Sequence, residues 1–196
     1  MKKLTYLLLP ALALCLMACS GNKKRTAQPE IPDEPDSTIY VQLKAVTDDS
    51  LTIYQLDSKK TRKLGYIEAQ HANAVHGSLT VGDTLAVMPL FKSAKARSVV
   101  NMSELVGLWM FDGNDGNGVR LSADGAASDV GPSDVTFRGW KIRNGRFILT
   151  YIKADGSDYT EMADTSTIIS LSKDEFRYTL NGEEHNCTRV KKLLTR

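Results

Sequence analysis

Three dipeptides limit what this chain can become: Asp124-Gly125, Asn144-Gly145 and Asn181-Gly182. All three are favoured in two-residue hairpin loops, because both positions of a type I′ turn need positive φ. Counting outward from two-residue loops predicts the strand register. Around Asn144-Gly145, Ile142 faces Phe147 and Trp140 faces Leu149, with Lys141, Arg143 and Arg146 on the other face. Around Asn181-Gly182, Tyr178 faces His185 and Phe176 faces Cys187. Around Asp124-Gly125, Arg120 faces Asp129 as an opposite-charge pair. Consecutive hairpins of this kind over residues 105–196 predict an up-and-down sheet, which must curl or close to hide its edges.

Residues 38–92 carry a second β pattern. Ile39, Val41 and Leu43 alternate with polar residues, Asp48-Asp49-Ser50 marks a turn, and Leu51, Ile53 and Gln55 resume the alternation. Period-two alternation places one strand face on a core. A third strand is expected over Lys63 to Glu68, a short helix over Ala69 to His76, and two more strands on either side of Gly82-Asp83. Three strands, a short helix and two strands is the order of an OB-fold barrel. Residues 93–104 read as a polar connector between the two units.

The N-terminus has the composition of a targeting segment. Met1-Lys2-Lys3 is followed by an apolar run from Leu4 to Met17 that is too short to span a bilayer and contains Pro10. Leu16-Met17-Ala18-Cys19 resembles a bacterial lipobox. That resemblance implies removal of residues 1–18, lipidation of Cys19, and a membrane-anchored mature protein. Residues 19–37, with Pro29, Pro32 and Pro35 among charges, read as a disordered tether. Loss of Lys2 and Lys3 removes the formal charge of +2, so no basic face for nucleic acid is expected. Of three cysteines, Cys15 leaves with the signal and Cys19 takes lipid. Cys187 is left as a thiol, and no intrachain disulfide is expected.

A family likeness rests on the second half. Leu105-Val106-Gly107-Leu108-Trp109 resembles the Gly-x-Trp opening of lipocalin-type barrels. Gly118 to Ser128, Gly139-Trp140-Lys141-Ile142, Gly145 to Leu149 and Asp164 to Leu171 follow in the order of the lipocalin-like domain of Bacteroidetes-type lipoproteins. The resemblance implies a barrel of about eight strands and no catalytic residues. The expected fold is therefore all-β, an OB-like barrel followed by a lipocalin-like up-and-down barrel. The two-barrel organisation is similar to an enterobacterial copper-resistance and envelope-stress lipoprotein. That relative has its halves in reverse order and a Cys-x-x-Cys pair, which this chain lacks.

The chemistry-bearing residues are few. No Gly-x-Ser-x-Gly nucleophile motif occurs, and His71, His76 and His185 are too dispersed to read as a metal set. No enzyme, cofactor or metal centre is expected. The expected role is binding of a small apolar or amphipathic ligand, with Trp109, Trp140, Tyr151 and Tyr178 as candidate lining residues. The alternative is a module that docks or senses other envelope proteins. The lipoprotein resemblance also implies glycosylation in short Asp-Ser/Thr motifs, which here mark Ser37, Ser50 and Thr84. Ser20-Gly21-Asn22-Lys23-Lys24 lacks the acids that follow the lipidated Cys in surface-exported members. This implies an outer-membrane anchor facing the periplasm.

Overall fold

The computed structural model describes residues 34–112, 116–156, 158–180 and 182–190. The expected signal, the lipobox-like stretch at Cys19 and most of the expected tether lie outside the described residues. The first unit runs β1 (Ile39–Val46), β2 (Ser50–Gln55), β3 (Thr61–Gly65), α1 (Ile67–His71), β4 (Val75–His76), β5 (Thr84–Pro89) and β6 (Ala96–Asn101). Its sheet order is β3-β2-β1-β5-β6-β4. A parallel bridge between Gly65 and Lys95 brings the end of β3 back to the start of β6. The alternating residues of β1 and β2 fill the core as their period demands: Val41, Leu43, Leu51 and Ile53 are all fully buried.

Three sequence expectations fail in this unit. The short helix expected over Ala69 to His76 is instead α1 at Ile67–His71, and Val75–His76 is strand β4. Residues 77–81 form no strand, and Val81 is exposed. The last long strand is instead β6, inside the expected connector 93–104, and α2 (Met102–Leu105) follows it directly. Its start is fixed by Asn101, whose side chain accepts the Glu104 amide. The connector reading failed because β6 is buried on both faces. Val99 packs into the first core while Val100, with Ala86 of β5, packs into the second. A strand buried on both sides shows no alternation.

The second unit is an antiparallel barrel of eight strands: β7 (Gly107–Phe111), β8 (Gly118–Leu121), β9 (Ala127–Val130), β10 (Val135–Arg143), β11 (Arg146–Asp155), β12 (Asp158–Leu171), β13 (Glu175–Leu180) and β14 (Glu183–Arg189). The order β10-β11-β12-β13-β14-β7-β8-β9 leaves β9 and β10 as the edges. They meet through the Ala126–Gly139 bridge and a 2.8 Å bond from the Trp140 amide to the Gly125 carbonyl. Further along, the Asp129 carboxylate accepts the Phe137 amide at 3.0 Å in place of a backbone carbonyl. The barrel is thereby nearly closed.

Two of the three hairpin registers hold as counted. Ile142 pairs with Phe147 and Trp140 with Leu149; Tyr178 pairs with His185 and Phe176 with Cys187. Asn144 (φ 49°) and Gly145 (φ 75°) supply both positive φ angles. The third register is off by one. Arg120 pairs with Ser128, and Val119 pairs with Asp129. At Asp124-Gly125 only the glycine takes positive φ, and Ser122 bonds to Ala126 across a three-residue loop. The slip moves Asp129 to the interior side, where it serves the seam.

Residues 34–37, the described end of the expected tether, are held rather than free. The Asn144 amide oxygen accepts from the Ser37 backbone and hydroxyl, each at 2.9 Å, and the Asn144 backbone N–H donates to Thr38 Oγ1 at 2.7 Å. Arg143 donates to the Glu34 carbonyl at 2.7 Å, and the Tyr40 hydroxyl donates to the Ile142 carbonyl at 2.9 Å. The entry to the first unit is thus fastened to the Trp140 hairpin of the second.

Candidate functional site

The barrel interior has two different ends. At the floor, Trp109 (0 % exposed), Phe147 (2 %) and Phe176 (2 %) interlock, with ring centroids of Trp109–Phe176 and Phe147–Phe176 5.7 and 5.2 Å apart. Trp109 Nε1 donates to the Leu105 carbonyl at 2.8 Å, so α2 plugs this end. The Arg189 guanidinium lies 4.2 Å from the centre of the Trp109 ring and donates to the carbonyls of Glu104, Val106 and Lys173. A cation held over an indole face and bonded to three carbonyls seals the floor.

At the mouth the inward-facing residues are Phe111, Phe137, Tyr151, Met162, Asp164, Leu180 and His185, and all are only half-buried. Phe111 meets Phe137 edge-on at 6.2 Å, and Phe137 meets Tyr151 edge-on at 6.3 Å. Beside Phe111 and Phe137 lies a cavity of about 550 Å³, bounded also by Val130, Pro132 and Val135. The Tyr151 hydroxyl donates to Asp164 at 3.2 Å. Burial raises the Asp164 carboxyl above the ordinary range, while Tyr151 and the nearby His185 pull it back. Burial raises the Tyr151 hydroxyl, and the Asp164 charge adds to the shift. This end offers an aromatic wall with one carboxylate and one imidazole behind it. It can hold an apolar body and hydrogen-bond one polar group.

The four candidate lining residues do not converge. Trp109 belongs to the packed floor. Trp140 is also at the floor end, its Nε1 donating to the Ser122 carbonyl at 2.9 Å. Its edge lines a separate cavity of about 620 Å³ between the two units, with Tyr40, Leu56 and Met102. Tyr178 is buried midway, stacked on His185 at 5.2 Å. Only Tyr151 reaches the mouth. Cys187 is buried beneath Tyr178, and burial pushes its thiol up to about 12, which makes it inert.

Sequence reasoning missed Phe111, Phe137 and Asp164. A usable signal existed for Asp164, a carboxylate in phase with inward-facing Ser166 and Ile168 on β12. Of the glycosylation candidates, Ser37 is exposed and Thr84 half-buried. Ser50 is a correction: it is 5 % exposed, hydrogen-bonded to Thr47 and Asp49, and has no room for a sugar.

Residues 101–191 match a family model described as lipocalin-like. A solved structure of a lipocalin-like protein from Bacteroides thetaiotaomicron VPI-5482 is 26 % identical, covering 44 % of this chain and 97 % of that one, with a TM-score of 0.40. No curated protein matches the chain. The second unit is therefore lipocalin-like in sequence, and the match begins at Asn101, at the end of β6.

Proposed function

We propose that this chain is a lipid-anchored envelope protein that holds a small apolar or amphipathic ligand in the mouth of its second barrel. The observation that carries the reading is the half-burial of Phe111, Phe137, Tyr151 and Met162, which point inward yet stay open to solvent, the first and second of them lining a cavity of about 550 Å³. Barrel mouths are a common place for such sites, and apolar walls with a few polar groups are their usual chemistry. The lipocalin-like match supports the same reading at the level of family. In this reading Asp164 takes the polar end of the ligand and no bond is made or broken. Cys19 carries the lipid, the anchor lies in the outer membrane, and the domains face the periplasm. The first unit is read as an OB-like barrel from its order β3-β2-β1-β5-β6 and its Gly65–Lys95 closure.

The test is titration with a fluorescent fatty-acid analogue, beside native mass spectrometry of protein from its host. Phe137→Ala is expected to weaken probe binding about tenfold, the loss of one aromatic contact, and Trp140→Phe to leave it unchanged. Unchanged binding in Phe137→Ala would remove the mouth as the site.

One observation favours a second reading, docking of another envelope protein. Phe91, at the tip between β5 and β6, is 88 % exposed beside a groove formed with Met88 and Leu90. Under that reading Phe91→Asp abolishes cross-linking to the partner and leaves probe binding intact.

A further inference from the structure

We propose that the cavity between the two barrels on the β6–β12 side is an anion site that takes a phosphate group. It measures about 490 Å³ and is lined by Arg97, Arg143, Arg146, His76, Ser98 and Thr165. It is separate from the barrel mouth and does not depend on the ligand reading made there.

The lining carries an excess of positive charge. Arg97 comes from β6, while Arg143 and Arg146 flank the turn between β10 and β11. None of the three is salt-bridged to a carboxylate among the described residues, whose ion pairs are Lys95–Glu68 and Arg177–Glu184. Arg143 donates to the Glu34 backbone carbonyl and Arg146 to Thr167 Oγ1 at 3.2 Å. Glu34 supplies the one acidic side chain among the described lining residues. Three guanidiniums around one cavity leave a positive field there. Guanidinium forks match phosphate oxygens bidentately.

Two hydroxyls in the lining point the same way independently of charge. Ser98 Oγ and Thr165 Oγ1 are buried and have no hydrogen-bond partner among the described residues. Ser98 is itself only 8 % exposed. Buried hydroxyls are nearly always bonded, so two orphans lining one cavity call for a polar group within it. They come from opposite barrels, Ser98 from β6 and Thr165 from β12. Gly145 allows this approach: a Cβ there would lie 2.6 Å from Ser98 Oγ. His76 is buried on the same wall, and burial lowers its pKa, so at neutral pH it faces the cavity uncharged. An anion among Arg97, Arg143, Arg146 and Glu34 would favour its protonated form.

A free phosphate and a lipid headgroup both carry this group, and the experiment separates these sources. Calorimetry with inorganic phosphate, at constant ionic strength set by KCl, is run beside sedimentation with phosphatidylglycerol vesicles. The proteins are the chain with Cys19→Ala, so that no acyl anchor binds the vesicles, and its Arg97→Gln, Thr165→Val and Arg120→Gln variants, with Arg120 as an exposed control on the far strand β8. Saturable phosphate binding, weakened about tenfold in Arg97→Gln and unchanged in Arg120→Gln, is the expected result. Thr165→Val is expected to weaken binding without lowering the melting temperature. Vesicle binding lost in Arg97→Gln and kept in Arg120→Gln, with no heat from inorganic phosphate, assigns the group to a lipid. Sulfate keeps its charge between pH 6 and 8 and should bind more tightly at the lower pH, a dependence that His76→Gln removes. No saturable binding of either source, or equal loss in Arg97→Gln and Arg120→Gln, overturns the proposal.

Discussion

On β7, Trp109 is fully buried, and two residues on Phe111 is half-open. On β11, Phe147 is fully buried, and four residues on Tyr151 is half-open. Floor and mouth use the same strands, the same alternation and the same kinds of side chain. They differ in what lies beyond them. The floor is backed by α2 and by the outer face of β5 and β6, so Ala86, Val100 and Leu105 join its cluster. The mouth ends in loops. An inward phase is therefore necessary for burial but not sufficient, and the neighbouring unit decides which end becomes core.

Truncation should separate the ends most sharply. Phe147→Ala is expected to cost about 3–5 kcal/mol, the usual range for a fully buried phenylalanine. Phe111→Ala should cost about 1 kcal/mol, because it removes less area from packing. Urea unfolding of both variants is the measurement, and equal midpoints would abolish the distinction between floor and mouth.

Arg189→Ala comes next. It leaves three carbonyls without their charged donor and uncovers Trp109, so a loss of about 2 kcal/mol is expected. Arg189→Lys should recover little of this, since an ammonium cannot reproduce the planar fork. Thermal melts of the pair check it.

The mouth should respond to pH through Asp164. Its folded pKa is raised, so the folded state binds the proton more tightly than the unfolded one. The stability from this group is fully present below the unfolded carboxyl pKa of about 4 and is lost as pH rises through the folded value. Asp164→Asn should therefore melt higher than the parent at pH 7 and show no such advantage near pH 4. His76 has the opposite sign: burial lowers its pKa, so its contribution is lost as pH falls below about 6.5 through the folded value. His76→Gln should flatten that acid-side loss. Smallest of all is Arg146→Ala, an exposed change expected to move stability by no more than about 0.5 kcal/mol.

Local chemistry made much of the barrel legible. Asn144-Gly145 dictated its own turn and thereby the pairing of Trp140, Ile142, Phe147 and Leu149, because both residues accept positive φ. Asn181-Gly182 set the Tyr178 and Phe176 pairs by the same count. Asp124-Gly125 misled it, since Asp124 keeps negative φ and the loop takes a third residue. Period-two alternation also placed Val41, Leu43, Leu51 and Ile53 in a core before any contact was seen.

What the sequence determined by itself is local: turn type, strand phase, the side of the sheet on which a residue stands, and the lipocalin-like order of motifs. What only the tertiary structure decided is which of those sides is covered. Val99-Val100 reads as a short apolar run, and only the docking of the two units makes it a wall with two cores. Phe111 and Trp109 share one inward phase, and only α2 and Arg189 make one of them a plug. Arg97-Ser98, Arg146 and Thr165 lie apart in the chain and meet only across the junction. Strand phase arises from backbone geometry between adjacent residues, whereas burial depends on contacts between segments that the chain brings together only when it folds.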